Sequence, residues 1–463
     1  MKISESQKTE LQNAIKGEVL IPGNDKYEES RQLWNAMFDK KPAIIIRCRN
    51  KKDIAHAVNF GRDNNLLIAV KSGGHNSAGT GSCDDGLMID LSLMQKVDVD
   101  AENAIVKAEA GCLLSTIDAA TQKYGLAVSS GMISHTGVGG LTLGGGFGWI
   151  SRKHGFSIDN LISAEVITAK GKIVTASASE NPDLFWAIRG GGGNFGVISS
   201  FVFKAAKIGT EVLSGPIVKS FDNMKEYMQF HREFVRTLPD EMTINMVVRH
   251  APPLPFIPEK YHGKLVLLLP FVWLGDPDEG QKIIQNVRDC TETIGDGSGM
   301  HPWAGWQTAF DELNAHGARN YWKSHHITDL SDGFIDAIIE YALKFPTTEC
   351  EMFIPHMEGA PSRIDPAATA FPHRKTPFLL NIHTRWRDSS DDEKCLQWVN
   401  DFHKATEAFA KGVYVNFIST EGADRVKDAY TAPIWYRLTE CKNKWDPDNL
   451  FRMNQNITPS NHK

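Results

Sequence analysis

Val70-Lys71-Ser72-Gly73-Gly74-His75-Asn76 closes a short apolar run, Leu66-Leu67-Ile68-Ala69-Val70. Apolar residues running into two glycines and a histidine describe a strand that delivers bare backbone and one nucleophilic ring to a single spot. Upstream, Pro42-Ala43-Ile44-Ile45-Ile46-Arg47 is β-rich, and Asn50 opens a segment reaching Phe60 with apolar residues at helical spacing. The order strand, helix, strand predicts a β-α-β unit ending in the Gly-Gly-His turn. A lone Gly-Gly-His is more often a turn histidine satisfied by its neighbours, so the case for His75 rests on the rest of the chain.

Residues 131–148 read Gly-Met-Ile-Ser-His-Thr-Gly-Val-Gly-Gly-Leu-Thr-Leu-Gly-Gly-Gly-Phe-Gly, with eight glycines in eighteen residues. Without side chains, backbone N–H groups can face something large and anionic, and a pyrophosphate is the natural occupant. Leu141, Leu143, Phe147 and Trp149 are interleaved and need a buried home, which argues against a flexible linker. A third glycine run matches the dinucleotide fingerprint at Gly191-x-Gly193-x-x-Gly196. That fingerprint needs a strand before it and a helix after it. Here a helix capped by Asn181 precedes and a strand at 197–203 follows, so these glycines let the chain pass close to a ligand held elsewhere. No Gly-x-x-x-x-Gly-Lys-Ser/Thr sequence occurs.

Residues 1 to about 40 read as a polar, helical lead-in. Short strands are predicted at 86–91, 96–99 and 104–110, a helix at 113–123 ended by Gly125, and a hairpin of 158–169 with 173–176 about Lys170-Gly171. After about residue 205 glycine density falls and long apolar or amphipathic segments alternate, which predicts a second α+β domain on one sheet. Trp303, Trp306, Trp322 and Trp386 fall here, mostly as core, with some able to wall an apolar pocket. Val413-Tyr414-Val415-Asn416-Phe417 reads as a strand whose alternation puts Tyr414 and Asn416 on one side. A helix from about 424 to 442, interrupted at Pro433, leads to a tail rich in turn formers and amides that ties down the chain end or a ligand.

The 463 residues call for two or three domains, and a formal charge of −6 without a concentrated basic run argues against a nucleic-acid partner held by phosphate contacts. The polar N-terminus lacks a secretory signal, and the longest apolar stretch, 265–274 with Pro270 inside, is too short for a bilayer. The expectation is a soluble cytoplasmic protein with no membrane partner and a small-molecule ligand; the oligomeric state is not legible. Seven scattered cysteines without a Cys-x-x-Cys pair read as reduced and structural. His325-His326 cannot share one face and no His-Glu-x-x-His occurs, so no metal site is expected.

Five motifs, in order, carry a resemblance: Ser72-Gly-Gly-His75-Asn76; Gly137-Val-Gly-Gly-Leu-Thr-Leu-Gly-Gly-Gly-Phe-Gly-Trp149; Asp159-Asn160; Asp183-Leu-Phe-Trp-Ala-Ile-Arg-Gly-Gly-Gly-Gly-Asn-Phe-Gly196; and Asp446-Pro-Asp-Asn-Leu-Phe-Arg-Met-Asn-Gln-Asn-Ile457. The chain resembles the berberine-bridge-enzyme-like group of FAD-linked oxidases of the vanillyl-alcohol-oxidase type. The resemblance implies an α+β chain with a PCMH-type FAD-binding domain at 1–205 and 418–463, and an inserted α+β substrate domain on an antiparallel sheet at 206–417. It implies FAD joined covalently to His75, and a cofactor bed of Lys71, Ser72, Gly73, Gly74, Asn76, Ser77, Thr136, Gly137, Gly139, Gly140, Leu141, Thr142, Gly144, Gly145, Gly146, Gly148, Trp149, Asp159, Asn160, Gly196, Val197, Ile198, Asn454 and Asn456. A neutral imidazole is a good nucleophile near neutral pH, and the bond would hold the cofactor and raise its potential.

Many relatives carry a second flavin bond through a cysteine in a segment written Gly-Val-Cys-Pro-Thr. Ile133 stands there in Gly131-Met-Ile133-Ser-His-Thr136, so a single link through His75 and no cysteinyl link are expected, and a bulky oligosaccharide substrate is weakened. Thr136, by the same resemblance, lies near the flavin face and bears on oxygen access. Site residues carried over are Asn381, His383, Tyr414 and Asn416, with Tyr414 as the base. Its ordinary pKa of about 10 would require a neighbouring cation, from His383 or Arg385, or hydrogen-bond donors. The implied activity is transfer of a hydride from a carbon bearing a hydroxyl, on a sugar or secondary metabolite, to FAD with reoxidation by O2. The alternatives are a dehydrogenase using another electron acceptor and a flavin-carrying binding protein without turnover.

Overall fold

The computed structural model describes residues 5–460. Strands Glu18–Leu20, Ile44–Arg47, Leu87–Asp90 and Ile68–Lys71 form one sheet in that order, its last three strands parallel. The helix Lys51–Asp63 makes the crossover, started by Asn50, whose side chain accepts the N–H groups of Lys52 and Asp53. The predicted β-α-β unit is present, with Leu87–Asp90 inserted between its two strands. The lead-in is less helical than its polarity suggests. Helix Glu5–Ala14 is followed by the strand Glu18–Leu20 and a short helix, Tyr27–Arg31, and residues 1–4 lie outside the described part.

A second, antiparallel sheet runs Val97–Asp100, Ile105–Glu109, Val197–Lys204, Leu161–Ile167, Ile173–Ser177. The strand after the third glycine run is therefore central, and helix Pro182–Ala187 precedes the run, the reverse of a dinucleotide fold. Asn181 does not cap that helix: its backbone is left-handed (φ 49°) and its amide donates to the Thr175 carbonyl.

The third sheet has nine strands, all antiparallel. Its path is Thr293–Asp296, Glu211–Ser220, Leu265–Trp273, Met246–His250, Glu351–Ile354, Phe378–Trp386, Arg319–Ile327, with Met242–Ile244 and Gly299–Pro302 attached at its sides. Alternation sorts its residues. Met246, Val248, Leu267, Leu269, Met352, Ile354, Leu380 and Ile382 join a core under the helices Met224–Phe234, Pro277–Asp289, Asp332–Ala342 and Asp392–Thr406. Val247, Arg249, Leu268, Pro270, Glu351, Phe353, Asn381 and His383 face the other way, into a cavity.

A separate large core draws on residues 11–205 and again on 413–457. The chain end is tied in from below the surface: Lys442, fully buried, pairs with Asp446 at 2.7 Å and donates to the carbonyls of Asn194 (2.8 Å) and Phe451 (3.0 Å). Asn194 also accepts the Ile457 N–H. The tail thus binds the third glycine run. Residues 413–417 are not a strand. The backbone turns, with Val415–Phe417 in a single 3-10 turn, because the segment leaves the third sheet here to rejoin the first core. The predicted helix after it is two helices, Ala423–Lys427 and Ala432–Trp445, with Pro433 in the first turn of the second, where its missing N–H costs nothing.

Candidate active site

A cavity of about 360 Å³ lies between the two cores, walled by both and by the tail. On one side stand Lys71 to Asn76, Thr136, Gly137, Gly139, Gly140, Leu141, Trp149, Gly193, Gly196 to Ile198, and Asn454. Two glycines here are required by contact: a Cβ on Gly73 would sit 2.4 Å from the Gly137 nitrogen, and one on Gly137 would sit 2.1 Å from the Gly73 nitrogen. Two others leave room, since a Cβ on Gly140 or Gly193 would meet no protein atom within 4 Å. Their backbone borders open space that a ligand can fill.

His75 is packed flat on Trp34, ring centroids 4.3 Å apart and planes inclined by 16°. Its Nε2 is buried without a partner. Burial, with His135 and His316 nearby, holds the imidazole well below its ordinary pKa, so it is neutral at pH 7. A neutral ring with a free nitrogen edge is a nucleophile.

The opposite wall is polar where the third sheet reaches the cavity. Asn381 and His383 do share a strand face, as the sequence predicts, and the Asn381 Oδ1 is buried without a partner. Tyr414 and Asn416 meet through the turn instead of along a strand: the Asn416 amide donates to the Tyr414 oxygen at 3.0 Å and to the Leu141 carbonyl at 3.1 Å. Gly146 N–H also donates to the Tyr414 oxygen, at 3.1 Å. Burial nevertheless pushes the phenol up to about 12, and no cation figures among the groups that act on it. Arg385 is held by Glu349, Asn320 and the Ala315 carbonyl, and His383 by Glu351. The cation expected beside Tyr414 is therefore not supplied, and its hydroxyl stays protonated at neutral pH.

Comparison with known proteins follows the same division. A family model described as FAD binding domain matches residues 42–177, and one described as Berberine and berberine like matches residues 413–458. An FAD-linked oxidoreductase of Dictyostelium discoideum is 30% identical over 97% of this chain and 96% of its own length. The chain belongs to the berberine-bridge-enzyme-like FAD-linked oxidoreductases. Among solved structures, 6-hydroxy-D-nicotine oxidase from Arthrobacter nicotinovorans superposes on this oxidoreductase with a TM-score of 0.86 at 26% identity, covering 96% of this chain and 98% of the other. Xylooligosaccharide oxidase from Myceliophthora thermophila, in complex with xylobiose, gives 0.84 at 25% identity, covering 98% and 99%.

FAD is thus the cofactor of this FAD-linked oxidoreductase, and the residues fit it: open glycine backbone at 140 and 193, and an unpartnered imidazole nitrogen at His75, border one cavity. Not all of the expected bed lies there. Asp159 is spent on Arg374, whose buried guanidinium it binds at 2.7 and 3.1 Å, and Asn160 donates to the carbonyls of His154 and Phe156. Ser77 serves the fold, its carbonyl taking the Asn35 amide and its hydroxyl that of Ser419. Thr142, Gly144, Gly145, Gly146 and Gly148 lie behind the lining: a Cβ at Gly144 would strike Asn416, and the Gly148 N–H is used by Ser151. Asn456 faces Thr458, and Asn454 alone of that pair reaches the cavity.

The sequence reading of this oxidoreductase missed Arg249, Glu351, Phe353, Phe310, Asn314 and Gln455, all lining residues. Of the four tryptophans, Trp322 lines the cavity, its Nε1 unpartnered. Trp303 donates to Asp118, Trp386 to Asp392, and Trp306 packs on Trp149. Both Ile133 and Thr136 line the cavity. The seven cysteines are free. Among the described residues no helix is long and apolar enough to cross a membrane.

Proposed function

We propose that this chain is an oxidase holding FAD through one covalent bond at His75, with residues 1–205 and 418–463 as the cofactor domain and 206–417 as the substrate domain. FAD, when bound, accepts a hydride from a substrate carbon bearing a hydroxyl and returns the electrons to O2. The observation that supports this reading is the meeting of the His75 imidazole, open glycine backbone and the polar group Asn381, His383, Tyr414 and Asn416 around one cavity.

Each wall has its task. Trp34 fixes the plane of His75 and keeps water from it. On the sheet side, Asn381 offers an unpartnered carbonyl oxygen that takes a substrate O–H or N–H. Tyr414, its oxygen already accepting two hydrogen bonds, keeps its own proton to donate toward a substrate oxygen. Trp322, Phe353, Phe417, Phe310 and Leu313 supply apolar walls, so the substrate is a small hydroxylated molecule with an apolar body, such as a secondary metabolite, ahead of a long sugar chain.

Two measurements test the reading. The denatured chain should be yellow and heavier by one FAD. Release of free FAD on denaturation would overturn the His75 bond. In stopped flow, wild-type protein mixed with xylobiose, 6-hydroxy-D-nicotine and a panel of benzylic and aliphatic alcohols should show flavin reduction by at least one compound, then rapid reoxidation in air-saturated buffer. Slow reoxidation would make it a dehydrogenase.

A further inference from the structure

Arg249, Glu351 and His383 stand side by side on three neighbouring strands. The register pairs Arg249 with Glu351 and Glu351 with His383, so all three side chains emerge on the cavity face in one row. The contacts are direct. Arg249 binds Glu351 Oε2 at 2.7 Å, and Glu351 Oε1 faces His383 Nδ1 at 3.3 Å. The other ring nitrogen, Nε2, faces the Asn320 Oδ1 at 3.0 Å. The orientation of that amide is fixed by its neighbours: its nitrogen donates to the Ala318 carbonyl and its oxygen accepts from Arg385.

His383 therefore lies between two acceptors. A neutral imidazole carries one N–H and can satisfy only one of them, while an imidazolium satisfies both. In the resting site burial keeps the imidazole below its ordinary pKa, with Glu351 partly opposing. Burial would raise Glu351, but Arg249 and His383 outweigh it and hold the carboxyl at about 2. The row thus contains an ionised carboxylate, a neutral ring and one unfilled position for a proton.

We propose that Glu351 is the catalytic base of this enzyme, taking the substrate hydroxyl proton on its cavity side, and that His383 stores that proton as an imidazolium between Glu351 and Asn320. The balance is complete. The substrate O–H would break, its proton passing through Glu351 to the His383 imidazole; bound FAD would supply the acceptor for the hydride of the C–H bond, and the carbon and oxygen would become a carbonyl. Arg249 holds the carboxylate aligned and Asn320 holds the ring, both as positioning residues. This assignment rests on the oxidase reading above and replaces Tyr414 as the base.

The test uses holoenzyme and the panel compound that reduces wild-type flavin fastest. Under anaerobic stopped flow, Glu351→Gln should lower the flavin reduction rate at pH 7 by about 10²-fold or more per flavin-loaded molecule, with the apparent substrate affinity changed far less. His383→Asn should lower it and remove the acidic limb of the pH–rate profile. The groups that face His383 and set that limb are Glu351, Arg249, Arg385 and His75. Glu351→Gln leaves the Arg249 charge buried alone, so the double variant Arg249→Met/Glu351→Gln guards against misfolding. Equal reduction rates in wild type and in either folded Glu351 variant would overturn the proposal while leaving the oxidase reading intact. If no panel compound reduced the wild-type flavin, both would fall.

Discussion

Trp34 lies parallel to His75 at 4.3 Å, and its own Nε1 is pinned to the Asn314 carbonyl at 2.6 Å. The indole is a fully buried plate against which the imidazole lies flat. Asn314 belongs to the segment before the third sheet's Arg319–Ile327 strand, so a residue from the large-sheet half of the chain sets the attitude of the His75 ring.

Removing the plate while keeping the ring should therefore uncouple attachment from binding. Trp34→Leu is expected to lower the fraction of chains that carry covalent FAD several-fold, and His75→Ala to abolish it, read as flavin fluorescence of the denatured chain on a gel and as intact mass. Because burial and the neighbouring histidines already keep His75 neutral, the rate of attachment to apoprotein should be level from about pH 8 down to about pH 6. An ordinary histidine would slow it below about 6.5.

Ile133 borders the same cavity as His75. Restoring sulfur at this position should create the second bond. In the His75→Ala background, Ile133→Cys is expected to return flavin to the denatured chain, and the single Ile133→Cys variant, with His75 intact, should hold its flavin by both bonds. Fully dissociable flavin in the double variant would show that position 133 does not face the ring.

Gly140 and Gly193 separate fold from ligand. A Cβ at either meets no protein atom within 4 Å and points into open space, so Gly140→Leu should leave the melting temperature of apoprotein unchanged or slightly raised, as loss of a helical glycine is worth roughly 0.5–1 kcal/mol. The same leucine would occupy the ligand's space, and FAD content should fall to a small fraction of wild type. Gly73→Ala acts the other way: its Cβ would press on the Gly137 backbone, and the melting temperature should drop before binding is tested.

These residues show what the sequence could and could not carry. The cofactor side was legible because it is local: a strand into Gly73-Gly74-His75, and glycines spaced so closely that only a bare backbone reading made sense. Tyr414 and Asn416 were paired correctly for the wrong reason, since a turn can juxtapose i and i+2 as a strand does, and the Phe417 N–H to Tyr414 carbonyl bond makes it a turn. Asp159 entered the cofactor bed through the family resemblance alone; its partner Arg374 lies 215 residues away. The row of Arg249, Glu351 and His383 was illegible for the same reason. They lie on three separate strands, and only the register of those strands, set by contacts far apart in the chain, aligns them.

Asp118, on the helix Leu114–Thr121, is buried and accepts from the Trp303 indole at 3.0 Å and from the Gln307 amide at 3.1 Å. Burial dominates those two donors and pushes its carboxyl up to about 6, from an ordinary value near 3.8. The folded protein therefore holds this proton more tightly than the unfolded chain, and the sign follows: below about pH 4 the group is neutral in both states and neutral to stability. Between about 4 and 6 stability falls as pH rises, and above 6 the loss is complete, on the order of 3 kcal/mol. Asp118→Asn keeps the shape and removes the charge, at a cost of about 1 kcal/mol for one misdirected donor. Its melting temperature should exceed that of wild type at pH 7 to 8, match or fall below it at pH 4, and lack the wild-type slope between. A slope of equal size in the variant would assign that pH dependence to other groups.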